Sequence, residues 1–180
     1  NCDGSSDVCS SDLRWQATDA VKVEYIFGSY ESDETIISNW DGTPEFLYGT
    51  TRPATYEQTT HELRVSWDNG GPINAVVGGY LWDSEYEIPL RSWVGFVVPG
   101  AILDLLQKSR QESESQAIFA EGTYRFSDQW SVTAGIRYTE DERELSLTQT
   151  LLDGSVDPAF MCPDGSVPIN STCSRETGSQ

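Results

Sequence analysis

The chain has 180 residues and a formal net charge of −18 at pH 7, and aromatic residues make up 11% of it. This acidity argues against a nucleic-acid-binding protein, because binding to phosphate backbones depends on neutralisation by lysine and arginine. The aromatic content indicates a folded chain, since disordered acidic chains contain few aromatic residues. The longest apolar stretch, residues 93–103, is too short for a transmembrane helix, which needs ~20 apolar residues.

The first segment of the chain has the sequence of a processing artefact. Residues 3–13 read DGSSDVCSSDL and resemble a translated sequencing adapter, DWSSDVCSSDL, with Gly4 as the one departure. Such segments are set aside before a fold is inferred. We therefore interpret residues 1–13 as adapter-derived, expect the native N-terminus to lie upstream, and do not count Cys2 and Cys9 as native cysteines. The remaining 180 − 13 = 167 residues suffice for one domain.

Five segments of the remainder alternate between apolar and polar side chains. This period of two is typical of β-strands, whose successive side chains point to opposite faces. In chain order the predicted strands begin near Val21, Glu62, Asn74, Ile118 and Trp130. The last is the clearest, with an apolar residue at every second position from Trp130 to Tyr138. The third is ambiguous, because it has apolar residues on both faces.

The connections between these predicted strands alternate in length. Residues 68–72 and 127–129 form short turns, whereas roughly twenty residues join the first two strands, about thirty join the third and fourth, and a polar tail follows residue 153. Ile102, Leu105 and Leu106 predict a short helix after Pro99. Such long loops are uncommon in compact soluble domains. Short periplasmic turns and long extracellular loops are typical of transmembrane β-barrels, so this pattern favours a barrel over a soluble β-sandwich.

Residues 115–143 resemble the barrel of TonB-dependent outer-membrane receptors. The matching motif is Tyr-x-Phe-Ser-Asp, from Tyr124 to Asp128, followed by Thr-x-Gly-Ile-Arg-Tyr-Thr, from Thr133 to Thr139. Residues 60–66 and 76–80 resemble another strand pair of the family. The resemblance implies a 22-stranded barrel around an N-terminal plug. We therefore expect residues 14–152 to be an antiparallel up-and-down part of such a transmembrane β-barrel, about five strands with long extracellular loops, in the outer membrane of a Gram-negative bacterium.

In such a barrel one strand face meets lipid and the other lines the lumen. The predicted lipid-facing residues are Val21, Val23, Tyr25, Phe27, Leu63, Val65, Trp67, Val76, Tyr80, Trp82, Ile118, Ala120, Tyr124, Phe126, Trp130, Val132, Ala134, Ile136 and Tyr138. The predicted lumen-facing residues are Glu62, Arg64, Glu121, Thr123, Arg125, Thr133 and Arg137.

The resemblance implies TonB-energised uptake of a scarce nutrient, with a ferric siderophore as the family's usual substrate. The implied partners are outer-membrane lipid, the missing plug domain and remaining barrel strands, the TonB complex through the missing N-terminal part, and the small-molecule substrate. A passive porin and a soluble β-sandwich binding module are the alternatives.

Few residues of the sequence suggest catalysis or metal binding. The single histidine, His61, has no nucleophile or orienting group in a recognisable motif, so we expect neither an enzyme nor a bound cofactor or metal. The acidic run 140–144 is expected to be the solvated extension of a strand. Cys162 and Cys173 bracket a Pro- and Gly-containing loop and lack the spacing of a zinc site, so we predict a disulfide between them in an extracellular loop formed by residues 153–180.

Overall fold

The computed structural model describes residues 6–42, 44, 47–98, 101–151, 155, 161–162 and 172–177. These residues form seven strands: β1 (Ser6–Thr18), β2 (Val21–Asn39), β3 (Tyr48–Asp68), β4 (Ile73–Val98), β5 (Ala101–Arg125), β6 (Ser131–Leu151) and β7 (Thr172–Thr177). Each strand pairs antiparallel with the next, and the sheet order is the chain order. The predicted all-β, antiparallel up-and-down fold is confirmed, as an open sheet with β1 and β7 at its edges.

The strands are longer than the sequence pattern predicted. β4 has 26 residues and β5 has 25, whereas crossing a membrane takes ~9–11. The prediction of roughly twenty residues between the first two strands was therefore wrong, because β2 ends at Asn39 and β3 begins at Tyr48. The prediction of about thirty between the third and fourth was wrong as well, because β4 ends at Val98 and β5 begins at Ala101. The predicted helix was wrong too: Leu105 and Leu106 pair with Ser92 and Arg91 in the sheet. The backbone groups of Leu105 and Leu106 form hydrogen bonds with β4. The spacing of apolar residues within one segment cannot reveal such a partner strand.

Short turns join β1 to β2, β3 to β4, and β5 to β6, all at the same end of the sheet. In the β3–β4 turn the Asp68 carboxylate accepts a hydrogen bond from the Gly70 amide at 2.8 Å, and the Asn69 side chain accepts one from Gly71 at 2.9 Å. Gly70 has a φ of 74°, which is in the left-handed region that glycine adopts without strain. Asp68-Asn69-Gly70 thus forms the turn that its composition predicts.

Strand β1 contains residues 6–13, which the sequence analysis attributes to an adapter. Asp7 pairs with Glu31, and the register continues without a break to the pairing of Gln16 with Lys22. An edge strand presents unpaired amides and carbonyls to any extended chain that lies beside it. The pairing of β1 therefore does not test where its sequence came from, and the adapter origin stays a prediction. Cys9, in this segment, is disulfide-bonded.

The sheet has no second layer among the residues described. The buried apolar residues are Ala54, Val94, Ala117 and Cys162, and no large side chain of the described residues is fully buried. The accessible surface is 12601 Å², against about 8,700 Å² expected for a folded monomer of this mass. A soluble β-sandwich would bury the alternating apolar residues of β6 against another sheet, but Ile136 is 76% exposed.

Candidate functional site

The strand register places most of the apolar residues on one side of the sheet. Tyr25 pairs with Leu63, Leu63 with Gly79, Gly79 with Ile118, and Ile118 with Tyr138. Directly paired residues on neighbouring strands project to the same side, so we name this side the Leu63 face and the opposite side the Arg64 face. Of the predicted lipid-facing residues, those on the Leu63 face are Val21, Val23, Tyr25, Phe27, Leu63, Val65, Trp67, Ile118, Ala120, Tyr124, Val132, Ala134, Ile136 and Tyr138.

Three residues predicted to share that apolar side lie on the other one. Val76 pairs with Ser66, Tyr80 with Glu62, and Trp82 with Thr60, so all three are on the Arg64 face. Their positions on the Leu63 face are taken by Ala75, Val77 and Leu81. The prediction was wrong because β4 is apolar on both sides, and only its pairing with β3 determines which side is which.

Two further predicted lipid-facing residues lie outside the strands. Phe126 and Trp130 belong to the β5–β6 turn, where they are 57% and 67% exposed. The Trp130 amide donates to the Ser127 hydroxyl at 3.1 Å, and the Ser127 amide donates back to the Trp130 carbonyl at 3.3 Å. Both aromatic rings therefore lie at the short-turn end of the sheet, next to the apolar part of the Leu63 face.

The Leu63 face exposes large apolar side chains that a water-soluble protein would bury. On the Leu63 face, Leu63 is 49% exposed and Ile136 is 76% exposed. On the Arg64 face, the side chains of Glu24 and Glu62 are only 17% and 19% exposed. A large contiguous apolar surface of this kind marks contact with a protein or a membrane.

All seven predicted lumen-facing residues lie on the Arg64 face: Glu62, Arg64, Glu121, Thr123, Arg125, Thr133 and Arg137. Two ion pairs lie on this face. Arg64 donates to Glu62 at 2.6 Å, and Glu24 lies 2.7 Å from Lys22. The Thr123 and Thr133 hydroxyls are 2.8 Å apart. The structure therefore brings these side chains to one surface, as predicted; whether that surface lines a lumen stays a proposal.

An aromatic cluster on the Arg64 face was not predicted. The Arg137 guanidinium lies 5.7 Å from the ring centroid of Tyr80 and 5.9 Å from that of Phe119, within the range of cation–π contact. The Phe119 ring lies across Gly78, where a Cβ atom would collide with it. Phe119 interrupts the polar alternation of its strand, and only its pairing with Gly78 reveals this packing.

Beyond the apolar part, the Leu63 face becomes acidic. One acidic row crosses the sheet through directly paired residues: Asp7, Glu31, Glu57, Glu85, Glu112 and Glu144. Arg110 partly neutralises this row, since it lies 2.9 Å from Glu85 and 2.6 Å from Glu112. The hydrogen bond to Glu85, together with the Glu112 charge, raises the pKa of Arg110. Glu140, Glu142 and Glu144 of the predicted solvated run project to this face.

His61 lies at the boundary between the apolar and acidic parts. Its Nδ1 atom is 2.7 Å from the Tyr25 hydroxyl, and its ring centroid is 5.2 Å from that of Phe27. These contacts are those of a side chain packed against aromatic neighbours. In the part of the chain that the structure describes, no group of three or more His, Cys, Asp or Glu side chains is placed to hold a metal ion.

Farther from the short turns, Arg91 and Asp104 form a two-pronged ion pair between β4 and β5. The guanidinium Nη2 lies 2.5 Å from one carboxylate oxygen, and Nε lies 3.0 Å from the other. The hydrogen bonds from Arg91 hold the pKa of Asp104 below its ordinary value. This ion pair links β4 to β5 within the segment that the sequence analysis had predicted to be a loop.

The structure joins Cys162 and Cys173 by a disulfide with Cα atoms 5.6 Å apart. Cys173 lies in β7, where it pairs with Leu147, so the bond connects the segment after β6 to the edge of the sheet. The intervening loop lies outside the described residues. No helix among the described ranges is long and apolar enough to cross a membrane.

An open meander with an exposed apolar side and a polar opposite side is the architecture of a β-barrel wall. A family model described as TonB dependent receptor-like, beta-barrel, matches residues 7–158. The chain belongs to this family, and the predicted resemblance is confirmed.

Among solved structures, the chain is similar to the ferric yersiniabactin uptake receptor FyuA from Yersinia pestis. The TM-score is 0.66 at 15% identity, over 97% of this chain and 23% of that one. This likeness concerns the fold, and the chain spans under a quarter of the length of FyuA. No curated protein matches the chain.

Proposed function

We propose that the chain is part of the barrel wall of an outer-membrane receptor, which takes up a scarce nutrient with energy supplied through TonB. In this proposal the Leu63 face meets lipid next to the short turns, the Arg64 face lines the lumen against a plug domain, and the acidic row lies outside the membrane. The ends of the strands far from the short turns and the Cys162–Cys173 loop are then extracellular, in a Gram-negative bacterium.

The observation that supports this most directly is the exposed apolar part of the Leu63 face. It occupies seven to nine residues on each of β2 to β6, next to the short turns, from Val21–Phe27 on β2 to Val132–Tyr138 on β6. A tilted strand needs ~9–11 residues to cross a membrane. Exposure of this apolar surface to water would be unfavourable, whereas lipid would cover it.

A ferric siderophore is the substrate class we propose. The chain shares its fold with FyuA, which is a ferric yersiniabactin uptake receptor, and family membership supports TonB-driven import. We further propose that residues 1–13 are adapter-derived and residues 14–152 belong to the native barrel. Reading about 200 residues upstream of Arg14 in the uninterrupted gene would reveal a plug domain and signal peptide if this is correct.

The functional test is uptake of radioactive ferric siderophore by iron-starved cells that express the complete receptor, with and without TonB. We expect uptake that disappears when TonB is removed. Uptake that persists without TonB would instead identify a passive porin. Recovery of the protein in the soluble fraction would identify a soluble binding module and overturn the proposal.

A further inference from the structure

Five neighbouring strands share a three-residue pattern in which a glutamate is flanked by other side chains. The triplets are Tyr30-Glu31-Ser32, Tyr56-Glu57-Gln58, Ser84-Glu85-Tyr86, Gln111-Glu112-Ser113 and Arg143-Glu144-Leu145. Because successive strand residues point to opposite faces, the glutamates all lie in the acidic row on the Leu63 face. The ten flanking residues form a continuous patch on the Arg64 face, which we name the tyrosine patch.

The three tyrosines of this patch are in contact. The ring centroids of Tyr30 and Tyr56 are 5.8 Å apart, and those of Tyr56 and Tyr86 are 6.2 Å apart. Tilted and edge-on rings at these separations attract one another and are held in place. The rings therefore form a fixed aromatic surface across β2, β3 and β4, with Tyr86 the most open at 36% exposed.

Hydrogen-bonding groups surround the rings. The Tyr56 hydroxyl donates to the Gln58 side-chain oxygen at 2.7 Å, which leaves the amide NH₂ of Gln58 able to donate elsewhere. The Gln111 amide donates to the hydroxyl of Ser113, a side chain only 3% exposed. Aromatic faces beside a few positioned polar groups are the usual lining of a small-molecule site.

The charge of the patch differs sharply from that of its surroundings. Arg143, at its β6 edge, is the one charged residue of the ten. The acidic row lies one sheet thickness away, which is on the order of a Debye length, ~10 Å at 0.1 M salt. A highly anionic ligand would approach against the field of these carboxylates, whereas an uncharged ligand would not.

Building on the proposed receptor function, we propose that the tyrosine patch binds an uncharged small molecule that has hydroxyl or amide groups and a flat apolar face. Neutral ferric trihydroxamates and neutral sugars both have this chemistry. A ferric tris-catecholate, with three negative charges, does not. The rings of Tyr30, Tyr56 and Tyr86 supply the contact surface, and Gln58 and Gln111 supply the hydrogen bonds.

The test is binding of three probes to the complete receptor in outer-membrane vesicles at one ionic strength. The probes are a neutral ferric trihydroxamate, a neutral oligosaccharide and a ferric tris-catecholate. We expect at least one neutral probe to bind about tenfold or more tightly than the trianion, and the preferred neutral probe distinguishes chelate from sugar. Tightest binding of the trianion, or no binding of either neutral probe, would overturn the inference.

Three variants locate the binding. Tyr56→Ala should weaken binding of the neutral probe about tenfold, as expected for loss of an aromatic anchor. Tyr56→Phe should retain most of the affinity, because it keeps the ring. Glu57→Gln, the matched control on the opposite face, should leave neutral-probe affinity unchanged and improve binding of the trianion.

Receptor abundance in the membrane shows whether each variant folds. Unchanged affinity in a folded Tyr56→Ala receptor would contradict the inference even if all three probes bind. The proposed receptor function and the proposed ligand of the tyrosine patch can be refuted independently. A receptor that imports iron only with TonB, yet prefers the trianion, refutes the tyrosine patch and leaves the proposed function intact.

Discussion

The two halves of this sheet use the same strands in different ways. Near the short turns, the Leu63 face is apolar and the Arg64 face carries paired charges, such as Arg64 with Glu62. Farther along the same strands, the Leu63 face becomes acidic, and the Arg64 face carries the tyrosine patch, a surface of tyrosine, glutamine and serine with Arg143 as its one charged residue. The register continues from one half to the other in β2. The backbone pairing of β2 with β3 is therefore the same in both halves, and only the side chains differ.

The largest expected effect comes from adding a charge to the apolar half. Under the proposed function, in which the Leu63 face meets lipid, Ile136→Arg should destabilise the complete receptor in phospholipid vesicles by about 2–4 kcal/mol, the cost of an arginine facing lipid near the bilayer midplane. Urea unfolding with tryptophan fluorescence measures the change. Glu144→Arg, on the same strand and face but in the acidic half, is the control and should shift stability by no more than about 0.5 kcal/mol. Equal effects at the two positions would remove the distinction between the halves.

A smaller effect should distinguish the two faces within the apolar half. In Gly78→Ala the new methyl group would meet the Phe119 ring and lie 2.8 Å from the Leu63 carbonyl oxygen, so we expect a loss of about 1–3 kcal/mol. In Gly79→Ala the methyl group projects to the Leu63 face, where the nearest atom is 3.8 Å away. The same unfolding assay should find that variant close to wild type. A costly Gly79→Ala with a harmless Gly78→Ala would mean that the faces are assigned the wrong way round.

The smallest effect concerns the ion pair at the far end of β4 and β5. Because Arg91 lowers the pKa of Asp104, the pair stabilises the folded state above the ordinary carboxyl pKa, ~3.9, and this stabilisation is lost as the pH falls through the lowered value. Asp104→Asn should therefore lower the urea midpoint at pH 7 and converge with wild type in acid. The difference should be modest, since the pair is partly exposed. A difference that stays constant with pH would exclude this electrostatic origin.

The alternation of Trp130–Tyr138 was enough to identify the start of β6 and its apolar side, because every second residue of that segment is apolar. Residues 93–106 show the limit of such reasoning. Their apolar run suggested a loop with a short helix, yet Trp93 pairs with Asp104 across β4 and β5. Local periodicity cannot distinguish these outcomes, since the hydrogen bonds that hold the strand come from its neighbour.

The sequence by itself determined the class of fold, the family and the polar side of the sheet, because period-two patterning and the Tyr124–Thr139 motifs are local properties of the chain. The tertiary structure alone decided the side of β4 that Tyr80 and Trp82 occupy, the alignment of one acid from each of β1 to β6, and the contact among Tyr30, Tyr56 and Tyr86. Each of these depends on strand register, and a shift of one residue would exchange the two faces of a strand.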